Sequence, residues 1–189
     1  MTQRMISDID LSILIVNWNT RERTMACVDS IRRYRAGPET VQIIVVDNGS
    51  EDCSAAAFRQ AWDDVEIIEN GENIGFGRAN NEGLKLARGR VVLFLNSDTE
   101  ITATTIPDLL GEFEAHPEMA AFGCKILGYD GVPQHSVRGF PTLGAYLHSD
   151  TLLGALGMFR ASHNRYRRKH FDFDKWQPIE VAMGAALAV

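Results

Sequence analysis

Four short apolar runs rich in β-branched residues constrain this chain most: Leu11–Val16, Val41–Val46, Val65–Ile68 and Val91–Leu95. They are nearly continuous rather than alternating, which is the pattern of strands buried on both faces. Segments of helical spacing separate them. Met25, Val28 and Ile31 share one face after Thr20, an N-cap residue type. Ser50 is placed to cap a second helix carrying Ala55, Phe58, Ala61 and Trp62, with Glu51 and Asp52 in its first turn. Asn80–Arg88 reads as a third helix stopped by Gly89. Thr104 or Thr105 starts a fourth, which ends before Pro117. Such alternation predicts an α/β fold, a mostly parallel Rossmann-like sheet with helices on both faces.

Beyond Pro117 the rhythm breaks. Met119–Leu127 reads as a longer strand, Tyr129-Asp130-Gly131 as a turn and Leu152–Phe159 as a short helix. The expected organisation is a lead over residues 1–10, an α/β half over 11–127, and a second, incomplete C-terminal region over 128–189. The apolar run Val181–Val189 stops at the last residue, whereas domains usually finish in polar, frayed residues. One expectation is a chain cut inside a core element, its unpaired strand open to self-association as a homodimer. The other is a terminal strand that simply ends there.

Composition removes several classes. A net charge of −6 with 45% hydrophobic residues argues against a disordered chain and a duplex nucleic-acid binder. Cys27, Cys53 and Cys124 are widely spaced and form no CxxC, which argues against a disulfide framework or zinc ribbon. No apolar stretch reaches the ~18 residues that would cross a bilayer. The N-terminus lacks a secretory apolar segment. A cytoplasmic chain is expected.

In an open parallel sheet, ligands bind beyond the carboxyl ends of the strands. The residues that follow the four runs are Asn17-Trp18-Asn19, Asp47-Asn48-Gly49-Ser50, Asn70 to Gly77, and Asn96-Ser97-Asp98-Thr99-Glu100. Turn chemistry alone favours Asn, Asp and Gly at such places, but their concurrence on one rim points to binding. Asp47 can accept from a base N–H or a ribose hydroxyl, or close an Asx turn. Asp98 beside a second oxygen ligand suits Mg2+ or Mn2+ on a diphosphate, or caps a helix. The Gly-rich stretch Asn73–Asn80 leads into a helix and suits close backbone approach by a ligand. It is not a GxGxxG, because position 80 is Asn, and no GxxxxGK[ST] occurs.

Four motifs in order, Ser12–Asn19, Val45–Ser50, Asn73–Asn81 and Leu95–Glu100, together resemble glycosyltransferase family 2, which has the GT-A fold. Gln134–Thr142 and Gly184–Val189 are similar to its rhamnosyltransferase-like branch, and the resemblance covers roughly residues 11–189. It implies inverting transfer of a sugar from a nucleotide-diphosphate donor, dTDP-rhamnose or a UDP-sugar. The implied acceptor is a glycan or lipid-linked molecule of cell-wall or polysaccharide biosynthesis. By motif position, Val16, Asn17, Trp18, Asn19 and Asp47 line the nucleoside pocket, and Asn73, Gly75, Phe76 and Asn80 lie near ribose and diphosphate. Asn96 and Ser97 adjoin them, and Asp98 is the metal-binding member of the DxD-type motif, with Asn96 replacing its first Asp.

The family's catalytic base is a carboxylate downstream of the Gly184–Val189 strand, hence beyond Val189. Within the chain, Glu100 and Glu180 are the nearest substitutes. The basic stretch Arg160–His170 is compatible with an anionic lipid headgroup or a pyrophosphate-linked acceptor at the inner face of a membrane, and equally with a solvated loop. Two other functions stand beside this one. A nucleotidyltransferase would carry a Gly-rich phosphate loop with a Lys, which residues 17–25 lack. A non-catalytic nucleotide-sugar-binding module would differ only in its missing base.

Overall fold

Each of the four apolar runs forms a parallel strand in the computed structural model, which describes residues 8–35, 37, 39–182 and 184–189. The strands are β1 (Leu11–Asn17), β2 (Val41–Asp47), β3 (Glu66–Glu69) and β4 (Val91–Asn96). Between and after them come α1 (Arg21–Tyr34), α2 (Ser54–Ala61), α3 (Phe76–Leu84) and α4 (Thr105–Ala115). Later strands are β5 (Phe122–Gly123), β6 (Val137–Arg138), β7 (Val181–Ala182) and β8 (Ala186–Ala188). The six-stranded sheet has the order β3-β2-β1-β4-β8-β5, with β8 antiparallel to β4.

Alternation along the strands explains why the runs are apolar throughout. Leu14, Ile44 and Val46 form one buried cluster with Ala79 of α3, and Val16 and Phe94 pack against it. Ile13, Ile15, Ile43 and Val45 point to the opposite face and are buried as well. Polar residues on β1 and β2 are confined to their ends, Ser12 and Gln42 at one end and Asn17 and Asp47 at the other, where each finds a hydrogen-bond partner. On α1, Cys27, Val28 and Ile31 form the buried side.

The chain divides into two compact units, residues 1–122 with 185–189, and residues 123–184. The second contains the β6–β7 pair and α5 (Leu143–Asp150), α6 (Leu152–Ala155) and α7 (Arg160–Tyr166). Among the described residues, no helix is long and apolar enough to cross a membrane.

Several boundaries differ from the sequence expectation. α2 starts at Ser54 with Cys53 as its N-cap, not at Ser50, whose hydroxyl is engaged on the β1 side. α3 begins at Phe76 rather than Asn80, because Gly75 at φ 89 turns the chain directly into it. The expected strand over 119–127 shrinks to Phe122–Gly123 and a single Leu127–Pro133 bridge. That stretch carries Gly123 inside it, Gly128 just after it and only one β-branched residue, Ile126, so it has little to pack as a strand. The expected unpaired terminal strand is paired: Val189 and Val92 exchange both backbone hydrogen bonds at 2.9 Å.

Two glycines should respond oppositely to Ala. A Cβ on Gly83 would stand 2.6 Å from Leu14 Cδ1 and 2.8 Å from its Cγ, inside a closed core. Gly83→Ala should destabilise by about 1–3 kcal/mol despite the better helix former. Gly111, inside α4, has nothing within 4 Å. Gly111→Ala should stabilise by roughly 0.5–1 kcal/mol. Urea denaturation of the two variants checks both signs.

Candidate functional site

The strand order reverses at β1, with β2 and β3 on one side and β4 on the other. Open α/β sheets bind ligands at the carboxyl ends beside such a reversal. There Asn17 pairs in register with Asp47, and Val16 with Asn96. Asn17 is fully buried. Its Nδ2 donates to Asp47 Oδ1 at 2.6 Å and to Ser50 Oγ at 3.0 Å. Its Oδ1 accepts from Thr20 Oγ1 at 2.9 Å and Thr24 Oγ1 at 2.7 Å. Both N–H groups and both lone pairs are therefore taken, and the carboxamide has no capacity left for a ligand.

Asp47, only 2% exposed, is set by this contact and by Ser50 N donating to its Oδ2 at 3.1 Å. The second bond closes an Asx-type turn over Gly49. Gly49 has φ 75, and a Cβ there would stand 2.5 Å from the Glu72 carbonyl carbon, so the turn requires glycine. Asn48 stitches the neighbouring loop to this turn. Its Oδ1 accepts from Asn70 Nδ2 at 3.0 Å and Ile74 N at 3.2 Å, and its Nδ2 donates to Asn73 Oδ1 at 2.9 Å. Asn73 Oδ1 also accepts from Gly75 N at 2.9 Å. Asn48 and Ser50 were not among the expected site residues. Their signal was present in the same Asp-Asn-Gly-Ser run, which counts among the strand-end polar clusters, with Ser50 read there as a helix cap. Asn19, at φ 54, donates its N–H to Ser50 Oγ at 2.9 Å and accepts from Glu51 N at 2.8 Å.

Other groups on the rim face water. Trp18 is 54% and Phe76 55% exposed. Asn80 is turned back onto its own helix, donating to the Phe76 carbonyl at 3.0 Å. Ser97 Oγ lies 3.2 Å from Thr20 Oγ1, linking the ends of β4 and β1. The Asn96 carbonyl accepts from Thr99 N at 3.1 Å and from the Cys27 thiol at 3.7 Å. Asp98 is exposed and makes no hydrogen bond or ion pair with the described residues.

Charges on this rim act on their neighbours. Burial, and then the Asp98 and Glu100 carboxylates, push the Cys27 thiol up to about 12. Asp52 accepts from Arg21 N at 3.2 Å and Ser54 N at 3.1 Å, tying the first turns of α1 and α2 together. Burial opposes its ionisation, but the Ser54 hydroxyl, these amides and Arg21 hold its carboxyl below the usual range. Its contribution to stability is present above the ordinary carboxylate pKa and fades as pH falls through the lowered value.

Among the described residues, no three His, Cys, Asp or Glu side chains gather to hold a metal. A cage made wholly of protein is therefore not formed there. An unpaired carboxylate beside Asn96 and Ser97 does fit a Mg2+ or Mn2+ ion that keeps waters and takes its other ligands from substrate phosphates. In the second unit, Glu180 is committed: it pairs with Arg168 at 2.8 Å and accepts from Phe140 N at 2.7 Å.

Asn17→Ala should leave the Asp47 carboxylate and the Thr24 hydroxyl short of partners in a buried site. A cost of about 1–3 kcal/mol is expected from stranding such groups. Chemical denaturation measures it, and an unchanged midpoint would show that Asn17 braces nothing.

The profile of Glycosyl transferase family 2 matches residues 12–176. The low-salt glycan biosynthesis hexosyltransferase Agl10 of Haloferax volcanii is 31% identical over 154 residues, 78% of this chain and 46% of that protein. The poly(ribitol-phosphate) beta-glucosyltransferase of Bacillus spizizenii is 32% identical over 95 residues, 48% of this chain and 15% of that protein. The chain thus spans less than half the length of these relatives. Among solved structures, S. aureus TarS 1-349 in complex with UDP-GlcNAc aligns with a TM-score of 0.59 at 23% identity, covering 68% of this chain and 38% of that one. The mannosyltransferase PcManGT of Pyrobaculum calidifontis, in complex with GDP-Man and Mn2+, aligns at 0.56 and 21%, covering 62% and 35%. These two share the GT-A fold seen here. With its motifs in order on the rim of that fold and a family match over most of its length, the chain belongs to glycosyltransferase family 2.

Proposed function

We propose that the chain binds a nucleoside-diphosphate sugar across the carboxyl-end rim and serves inverting sugar transfer from it to an acceptor hydroxyl. The observation that carries this reading is the pair of carboxylates flanking β1. Asp47 is buried and fixed on β2, while Asp98 stands exposed and unpartnered after β4. In this reading the remaining lone pairs of Asp47 accept from a base N–H or a ribose hydroxyl. Asn17 positions Asp47, and Val16 and Asn19 complete the wall. Trp18 and Phe76 offer exposed aromatic faces to the base, and Asn73, Gly75 and Asn80 flank ribose and diphosphate. Asp98, with Asn96 and Ser97 adjoining, holds Mg2+ or Mn2+, which when bound offsets charge on the diphosphate leaving group.

The donor is dTDP-rhamnose or a UDP-sugar, in keeping with the rhamnosyltransferase-like branch and with a UDP-GlcNAc complex of a structural neighbour. The acceptor is a glycan or lipid-linked molecule, met at the inner face of a membrane. Asp47 and Asp98 are engaged by the donor and Glu180 by Arg168, so the proton acceptor for the attacking hydroxyl is not among them. Such a base is worth about 10²–10⁴-fold in rate.

Calorimetry with UDP and dTDP, with and without Mn2+, tests the donor site. Asp47→Ala should weaken binding by about ten-fold or more, as expected for losing a charge-assisted hydrogen bond. Asp98→Ala should remove most of the dependence on Mn2+; equal dependence in parent and variant would take Asp98 out of the site. A turnover assay tests the second point. The purified chain should bind donor and transfer it at least ~100-fold more slowly than a base-assisted reaction. Robust transfer abolished by Glu180→Gln or by Glu100→Gln would make that residue the base instead.

A further inference from the structure

Residues 123–184 carry eight Lys and Arg against five Asp and Glu, in a chain whose net charge is −6. Much of that excess converges on one cavity of about 410 Å³. Arg160, Arg167, Lys169 and three histidines, His135, His148 and His163, line it with Asn164, and no carboxylate does. Its size is that of a small-molecule site. Arg160, His163, Asn164 and Arg167 recur at helical spacing along α7 and its C-cap, so they share one face. Across from them, the His148 ring of α5 lies 4.6 Å from that of His163. Both rings are held in place: His148 Nδ1 is 2.6 Å from the Met158 carbonyl, and His163 Nδ1 is 3.1 Å from Ser149 Oγ.

Three of the five carboxylates serve other cations, and Asp130 and Asp150 form no ion pair among the described residues and do not line the cavity. Glu180 pairs with Arg168 at 2.8 Å, Asp174 with Lys125 at 2.6 Å and Asp172 with Lys175 at 2.9 Å. Arg160, Arg167 and Lys169 form no ion pair among the described residues. Gathered positive charge without a counter-charge is unfavourable. Its effect is visible at His163, whose imidazole is held below its usual range by burial, then by His148, Arg167 and Lys169. A bound anion would reverse that penalty.

We propose that this cavity binds a phosphate or diphosphate group through Arg160, Arg167 and Lys169. The site lies wholly within residues 123–184 and does not depend on nucleotide binding at the sheet rim. One flank of it is apolar. Leu152 is 85% and Leu156 75% exposed on the segment that leads into Arg160, followed by the half-exposed Met158 and Phe159. A phosphate carried by a lipid would meet such a flank at a membrane surface, whereas a soluble phosphate needs none.

The test titrates the full chain with inorganic pyrophosphate in saturating UDP, and sediments it with phosphatidylcholine vesicles with and without phosphatidylglycerol. Pyrophosphate should bind. Arg160→Ala and Arg167→Ala should each weaken it by about ten-fold or more, and Lys169→Ala should weaken it likewise. Arg33→Ala, an exposed cation at the end of α1, should leave it unchanged. All four side chains are exposed, so unchanged unfolding transitions verify folding. Vesicle binding that requires phosphatidylglycerol and falls in Arg160→Ala and in Leu152→Ser identifies a lipid headgroup as the source. Pyrophosphate binding alone identifies a soluble phosphate. Binding of neither ligand would overturn the proposal. So would equal loss in Arg33→Ala, or pyrophosphate binding in saturating UDP that Arg160→Ala, Arg167→Ala and Lys169→Ala all leave intact.

Discussion

The buried carboxamide of Asn17 joins the end of β1 to the end of β2 and to the start of α1. Its two N–H groups reach Asp47 at the end of β2 and Ser50 beyond it, and its carbonyl oxygen takes hydroxyls from Thr20, the N-cap of α1, and from Thr24 within the helix. A buried polar group left unpaired costs about 1–3 kcal/mol, so this position must be occupied by a side chain with two donors and two acceptor sites. Asp would present a carboxylate 2.6 Å from that of Asp47, and Leu would strand all four partners. The orientation of Asp47, the turn through Ser50 and the start of α1 follow from that one choice.

The amino ends of the same strands show a different outcome. There Ser12 Oγ donates to Gln42 Oε1 at 2.6 Å and accepts from Arg88 N and Gly89 N at 3.1 and 2.8 Å. Gln42 Nε2 donates to the Leu86 carbonyl at 3.0 Å and to Glu66 Oε1 at 2.7 Å. Chain returning from α3 thus closes this end: a Cβ on Gly89 would stand 2.4 Å from Ser12 N. Polar groups at that end answer one another. At the carboxyl end, a brace just as tight lies beneath exposed aromatic rings and a carboxylate with no internal partner. The direction shared by parallel strands puts all the loops that follow them on that one side, which is why binding chemistry collects there.

The sheet was legible because burial on both faces forbids polar alternation, and the four runs were all found to within a residue or two. Element starts that depend on side-chain partners were harder to read. Ser50 has the right identity and spacing for a helix cap, but Asn17 and Asn19 compete for its hydroxyl and the helix begins four residues later. That competition is tertiary and leaves no local mark. The same holds for Asn48, which is indistinguishable from a turn residue until Asn70 and Asn73 fold against it. Residues 123–184 were least legible. Their helices α5, α6 and α7 are short, only Ala145 among their residues is buried, and no sustained periodicity announces them. The helical face of α7 was read as a basic run because its spacing was masked by Arg165 and Arg168 on other sides.

Asp47 and Asp98 show how one residue type is fitted to two tasks by its surroundings. Asp47 is immobilised by hydrogen bonds to both oxygens, with its charge met only by an amide, a backbone N–H and whatever a ligand brings. A fixed, dry acceptor discriminates by geometry, because a donor misplaced by an ångström loses most of its bond. Asp98 has neither restraint nor desolvation. A hydrated divalent ion needs that freedom, since it exchanges only some of its waters and dictates its own coordination angles. Reversing the two environments would defeat both: a buried, prebonded carboxylate cannot admit a hydrated ion, and an exposed, mobile one cannot fix a base. In the proposed donor site, the separation of these roles across β1 therefore sets which end of the nucleotide lies over β2 and which over β4.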